Sequence, residues 1–192
     1  MCPPPPDSPH SETAYFKRSA RLGFTLWNED QLDHALKLWG DPAVTRLISI
    51  KGFKEDEIKE RLTTEIHYQK EHGFQYWPLF ILENGDFAGC TGFHPVPGST
   101  STIELGYHLL PDYWGSGYAV EAAEAAIEHA FSTLGTEKIK AGHHPGNSAS
   151  AAVLKKLGFE LKGKELYPPT GLRHPTYFLD RALYLVSKSE SN

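Results

Sequence analysis

The chain has 192 residues, 40% of them hydrophobic and 12% aromatic, with a formal net charge of −5. This length is ample for one buried core. The basic residues are scattered rather than gathered into the face that nucleic acid requires, and no apolar run approaches the ~20 residues of a membrane-crossing helix, so neither partner is expected. Two cysteines, Cys2 and Cys90, make no disulfide framework, and a reducing cytoplasm is expected. Cys90 has no base or basic surroundings in the sequence and reads as a structural thiol rather than a nucleophile.

Residues 1–14 are proline-rich, lack the apolar stretch of a secretory leader and read as a disordered tail ahead of a single domain over 15–188. Asn28–Asp30 is a helix-start signal, and Leu32, Leu36 and Trp39 follow at helical spacing. A second helix runs through residues 54–73, with Ile58, Leu62 and Ile66 every fourth position and Gly73 as its C-cap. Three strand-like stretches come next, separated by Asn84-Gly85-Asp86 and by residues 95–101, and form a meander. The segment DYWGSGYAVEAAEAAIEHAFSTLG (112–135) then turns abruptly into a helix. Its apolar stripe comprises Ala119, Ala123, Ile127 and Phe131 beside Ala122, Ala126, Ala130 and Leu134, while Glu121, Glu124 and Glu128 lie outside it. A short strand (EKIKAGHH), a fourth helix (NSASAAVLKKLG) and two closing strands (FELKGKELY and TYFLDRALYLV) complete an α/β fold with a mixed sheet.

Gly115, Ser116 and Gly117 put the most permissive backbone just ahead of a regular helix. The free amides of that helix's first turn carry about half a positive charge in partial-charge terms, which suits a phosphate. A nucleotide-hydrolase phosphate loop would need Gly-Lys-Ser/Thr, and here Tyr118 and Ala119 follow the glycine. A dinucleotide fingerprint would need a third glycine, and that position is Val120. The remaining alternative is a tight turn that binds nothing.

On the strand TIELGYHLL, Ile103, Leu105, Tyr107 and Leu109 face one side, and Glu104, Gly106, His108 and Leu110 the other. The second face carries two titratable groups with a glycine between them that leaves space. It is either the polar face of a half-exposed strand or a site for a general base. On the fourth helix, Asn147, Ser150, Leu154 and Leu157 share the inward face. Ser150 either bonds back to its own helix or acts in a site, and Asn147 reads as an N-cap. The paired histidines His143 and His144, and His67 with His72, lack the spacing of a zinc site, so no metal is expected.

The stretch PDYWGSGYAVEA resembles the pyrophosphate loop of the GNAT acetyltransferase superfamily, and more closely its RimJ/RimL-like branch. NSASAAVLKKLGF is similar to that branch's second signature, about thirty residues on. The resemblance extends from about Arg21 to Val186. It implies a GNAT fold, with a central, mostly antiparallel sheet, a splayed strand pair and about four helices. It also implies acetyl-coenzyme A as co-substrate and a primary amine as acceptor, either a small molecule or a protein N-terminal amine, in a monomer or homodimer. Carried over by motif, the coenzyme-binding residues are Leu109, Leu110, Trp114, Gly115, Ser116, Gly117, Tyr118, Ala119, Asn147 and Ser150. Glu104 is the first candidate for the base and His108 the second. Ser150 would face the thiolate, because the tyrosine that protonates it in much of the superfamily is replaced here by Leu154. Tyr76, Trp77, Tyr167 and His174 lie in segments that border the amine pocket. Asp112 departs from the Gln or Arg that opens the superfamily's loop. A regulator that binds coenzyme A without turnover, or a transferase of another acyl group such as succinyl, are the alternatives.

Overall fold

The computed structural model describes residues 14–189, so the expected tail lies, but for Ala14, outside the described residues. The strands are β1 (Lys17–Arg18), β2 (Leu22–Phe24), β3 (Tyr76–Ile81), β4 (Phe87–Pro95), β5 (Thr102–Leu109), β6 (Lys138–Gly142), β7 (Glu160–Tyr167) and β8 (Leu172–Asp180). The helices are α1 (Leu32–Trp39), α2 (Pro42–Thr45), α3 (Glu55–His72), α4 (Tyr118–Ser132), α5 (Ser148–Lys156) and α6 (Arg181–Ser189). All eight strands join one sheet in the order β1-β2-β3-β4-β5-β6-β8-β7. Every neighbouring pair is antiparallel except β5 and β6, which are parallel and joined through α4.

The elements expected from residue 28 onward appear, with two differences, and β1 and β2 precede them at one edge of the sheet. The closing strand ends at Asp180, and residues 181–189 form α6 instead of continuing it. There the ring of Tyr184 packs at 5.1 Å from Phe131, and the Arg181 amide donates to the Glu137 carbonyl at 2.9 Å. Pro42 opens a separate short helix, α2, capped by Asp41, so α2 and α6 raise the helix count above the expected four.

Helices cover both faces. On one side α4 and α5 pack over Leu105, Leu109, Ile139 and Phe93. The small side chains Ala122, Ala123, Ala126 and Ala130 are all fully buried, which lets α4 approach the sheet closely. On the other side α1 and α3 close over Tyr76, Phe80, Phe87 and Cys90 through Leu38, Trp39, Ile58 and Leu62. The α3 stripe differs from its sequence pattern in one position: Ile66 is half-buried, and Glu65 is the residue turned fully inward. That carboxylate is satisfied by the Tyr76 amide at 2.7 Å and by His94 Nε2 at 2.8 Å, as a buried charge must be. Gly73 closes α3 in the left-handed conformation, with φ +77°.

The sheet opens in the middle. Pairing between β5 and β6 runs from Thr102↔Lys138 to Leu105↔Ala141 and stops, while β5 continues to Leu109. From there β6 follows β8 as far as Gly142↔Thr176. The result is a V-shaped gap whose one wall is the free edge of β5 beyond Leu105.

Candidate active site

The β5–α4 loop is built around two glycines. Gly115 and Gly117 have φ of +74° and +82°, a region that L side chains rarely adopt. A Cβ at Gly115 would meet nothing within 4 Å, so the backbone conformation, not packing, selects glycine there. Glu121 is the first helical amide to find a chain acceptor, the Gly117 carbonyl at 3.1 Å. The amides from Gly115 to Val120 bond to no described residue. They form a set of donors at the positive end of a 15-residue helix. Trp114 anchors the loop from the other side, its indole N–H donating to the Leu109 carbonyl at 2.7 Å. Leu109 and Leu110 are buried on opposite faces of the sheet and fix the strand end.

Sequence reasoning missed the clamp that holds this loop. Arg21 donates from Nε to Glu121 at 2.7 Å and from Nη1 to the Ser116 carbonyl at 3.1 Å. Its guanidinium lies 4.1 Å over the Tyr118 ring. Ser19 and the Arg21 amide occupy the other oxygen of Glu121, at 2.8 and 2.7 Å. The departure at Asp112 leaves its side chain exposed and outside these contacts.

Glu104 and His108 share a face of β5, as their spacing requires, but the space over Gly106 is not empty. The Tyr76 ring fills it, and a Cβ on Gly106 would lie 2.3 Å from the Tyr76 hydroxyl. Glu104 is partly exposed, 39% for its side chain, and its carboxylate lies 3.8 Å from the Lys140 ammonium. Lys140 also reaches Glu165 at 2.6 Å. Burial would depress the Lys140 pKa, but the two carboxylates outweigh it and the net shift is upward.

His108 is different in character. Its Nδ1 accepts from the Trp39 indole at 3.2 Å, which puts the ring proton on Nε2. Burial, then the Arg61 and His94 charges, hold its pKa well below the ordinary imidazole value. The ring is neutral, and its available lone pair is spent on Trp39. Of the two candidates on this strand, Glu104 keeps an accessible acceptor.

Across the gap, Ser150 is buried at the start of α5, and its Oγ lies 2.6 Å from the Tyr107 hydroxyl. Of the two readings of Ser150, the bond is outward to β5, not back to its own helix. Asn147 caps α5, its Oδ1 accepting from the Ser150 amide at 3.0 Å. Tyr107 was legible only as a member of an apolar stripe, though it was the one residue there with a polar tip. Burial raises its pKa to about 12, with the Ser150 bond opposing, so the hydroxyl stays protonated at neutral pH. Leu154 is fully buried core.

The four acceptor-side candidates divide. Tyr76 lies over Gly106 and stacks on His94 with centroids 3.8 Å apart. Tyr167 and His174 face each other across the β7–β8 hairpin at 4.6 Å, and His174 is tied to Thr170 at 2.9 Å. Trp77 is not brought to this side. It points to the α4 face, is 1% exposed, and bonds Gln69 at 3.1 Å. Alternation along β3 separates it from Tyr76. Among the described residues, no group of three or more His, Cys, Asp or Glu converges on a point that could hold a metal ion, and no helix is long and apolar enough to cross a membrane.

Burial lowers the pKa of His34, His108, His129 and His174. Each is harder to protonate in the fold than in the unfolded chain, where imidazoles titrate near pH 6.5. Their contribution is therefore present above that value and lost as pH falls through it. The urea unfolding midpoint is expected to fall between pH 7.5 and 5.0; a midpoint that rises over this range contradicts the buried-histidine account.

The GNAT acetyltransferase domain model matches residues 21–160. An uncharacterized N-acetyltransferase, p20, of Bacillus licheniformis is 27% identical over 153 residues, covering 79% of this chain and 84% of that protein. The ribosomal protein uS5 alanine N-acetyltransferase of Escherichia coli is 32% identical over 97 residues, half of each chain. The crystal structure of spermidine N-acetyltransferase from Vibrio cholerae, in complex with coenzyme A and spermine, superposes with a TM-score of 0.73. The match covers 86% of this chain and 99% of that one at 15% identity, a likeness of fold. With the glycine loop, the open β5–β6 pair and a family model spanning most of the chain, the protein belongs to the GNAT family of acetyltransferases.

Proposed function

We propose that the protein moves an acetyl group from acetyl-coenzyme A to a primary amine by direct attack in a ternary complex. The observation that carries this reading is the run of unbonded amides from Gly115 to Val120 beside the gap that opens after Leu105. The donors fit a diphosphate, and the left-handed glycines keep side chains out of its way. The free edge of β5 and the Asn147 side chain suit the amides of the pantetheine arm. Bound there, the thioester supplies an already activated acyl group, so the chain's own residues need only orient, deprotonate and stabilise.

In this reading Glu104 takes the proton from the acceptor ammonium, directly or through water. Lys140 holds the carboxylate from one side and leaves its exposed side to the amine. Ser150, backed by the Tyr107 hydroxyl, supplies the proton to the departing thiolate. This pair stands in for the tyrosine absent at Leu154. The acceptor enters from the α1–α3 face, where Tyr76, Tyr167 and His174 lie. It is a small amine or a protein N-terminal amine, and relatives of both kinds share the fold or the sequence pattern.

Free-thiol release from acetyl-coenzyme A across a panel of small amines and peptides tests the reading. Release that depends on an amine supports it; none with any amine, together with tight coenzyme binding, would favour the regulator instead. Acetyl-coenzyme A at one hundred times its Kd is expected to stabilise the fold by about 2.7 kcal/mol, read as a rise of several degrees in melting temperature. No shift would count against a coenzyme site.

A further inference from the structure

Arg61, on the inward side of α3, is a cation without an anion. Its guanidinium lies over the rings of Trp39 and Phe53, 5.0 and 5.2 Å from their centroids. Its Nε–H is shielded from solvent and has no acceptor. On a helix the natural partners are carboxylates one turn away. Both are engaged elsewhere. Glu57 accepts from the Lys54 amide at 2.7 Å and caps the helix. Glu65 spends one oxygen on His94 and the other on the Tyr76 amide. The first candidate for the base, Glu104, is paired with Lys140. No ion pair among the described residues includes Arg61.

The unneutralised charge lies next to the acceptor side: the Trp39 ring that it covers donates to His108, which shares the face of β5 with Glu104. Burial is the main cause of the displaced ionisation of Tyr76, Cys90, His108 and Tyr167, and Arg61 acts on all four. These residues surround the face of β5 that carries Glu104, opposite α4 and its free amides. A half-buried guanidinium retains a cost unless its donors are matched, and its planar fork matches a carboxylate in two places.

We propose that Arg61 receives a carboxylate borne by the acceptor, so that the preferred substrates are small amines carrying a carboxylate, amino-acid-like in chemistry. This rests on the acetyl-transfer reading above. A carboxylate on the acyl chain, as in succinyl-coenzyme A, or a phosphate on the acceptor would present related chemistry. The position of Arg61 on the face opposite α4 favours the acceptor.

The test follows thiol release with matched amines: one with a free carboxylate, its carboxamide and its phosphonate, each with acetyl-coenzyme A. The carboxamide is also paired with succinyl-coenzyme A. For the wild type, kcat/KM is expected to be at least about tenfold higher for the carboxylate than for the carboxamide, mostly through KM. In Arg61→Gln that ratio falls to within about twofold, and Arg61→Lys, which keeps charge but not the fork, lies between. A melting curve for each variant separates misfolding from lost recognition, and Arg61→Lys keeps the ratio measurable if Arg61→Gln does not fold. Equal rates for carboxylate and carboxamide in the wild type, or a ratio that survives in both variants, would overturn the inference. So would a preference for the phosphonate, or faster reaction of the carboxamide with succinyl-coenzyme A. Thiol release with neutral amines but no carboxylate preference overturns this inference alone. No release with any amine overturns the acetyl-transfer reading and this inference with it.

Discussion

Glu104→Gln is expected to lower kcat by about 10²- to 10⁴-fold, the range that removal of a general base produces. The substitution keeps the shape and removes only the ability to take a proton. Its neighbours make the result readable. Lys140 retains Glu165 as partner at 2.6 Å, so the local charge is not stranded. The amides that would hold the coenzyme belong to a different segment, residues 115–120, so the KM for acetyl-coenzyme A should stay within about twofold. His108→Gln serves as the contrast. Its ring is neutral and its lone pair is given to Trp39, so its loss should act through stability and packing rather than through proton removal. A kcat for Glu104→Gln within threefold of wild type, or a larger kinetic loss in His108→Gln than in Glu104→Gln, would remove Glu104 from the role.

Gly117→Val should act on the coenzyme and not on the base. Gly117 sits at φ +82°, where a β-branched residue is strained by about 1–3 kcal/mol. Space is not the obstacle, since a Cβ there meets only Arg21 Nη2, at 3.6 Å. The loop must instead leave its left-handed conformation, and the amides that follow turn away from a common point. The expected result is a rise of more than about tenfold in the KM for acetyl-coenzyme A, by loss of charge-assisted hydrogen bonds. At saturating coenzyme, kcat should be much less affected. Unchanged KM in a folded variant would mean that the turn is merely a turn.

Most of the scaffold could be read from period and turn chemistry. The α4 stripe appears as its alanine ladders require, and the β3–β4–β5 meander lies where its turn residues divide it. The alternation of β5 placed Glu104 and His108 on one face, but alternation says nothing of what lies above Gly106. Only the meeting of β3 with β5 across β4 puts the Tyr76 ring there. Trp77 illustrates the same limit: adjacent aromatics on a strand cannot both line one pocket, and the segment alone did not say which would. Long-range polar contacts were the least legible. Arg21 and Glu121 are one hundred positions apart, and nothing in either segment announces the clamp. In the sequence Arg61 is one of many charged residues in α3, and its isolation depends on where Glu57 and Glu65 direct their oxygens. The end of β8 was missed because Arg181–Val186 is apolar enough to read as strand, while only Tyr184 among them packs against the core.

The central claim is that the first-turn amides of α4 hold the coenzyme's diphosphate, and a crystal structure with coenzyme A tests it most directly. The account predicts the diphosphate oxygens within hydrogen-bonding distance of the amides between Gly115 and Val120, with the pantetheine arm entering the gap between β5 and β6. A diphosphate seated elsewhere, with those amides turned to solvent, would contradict it.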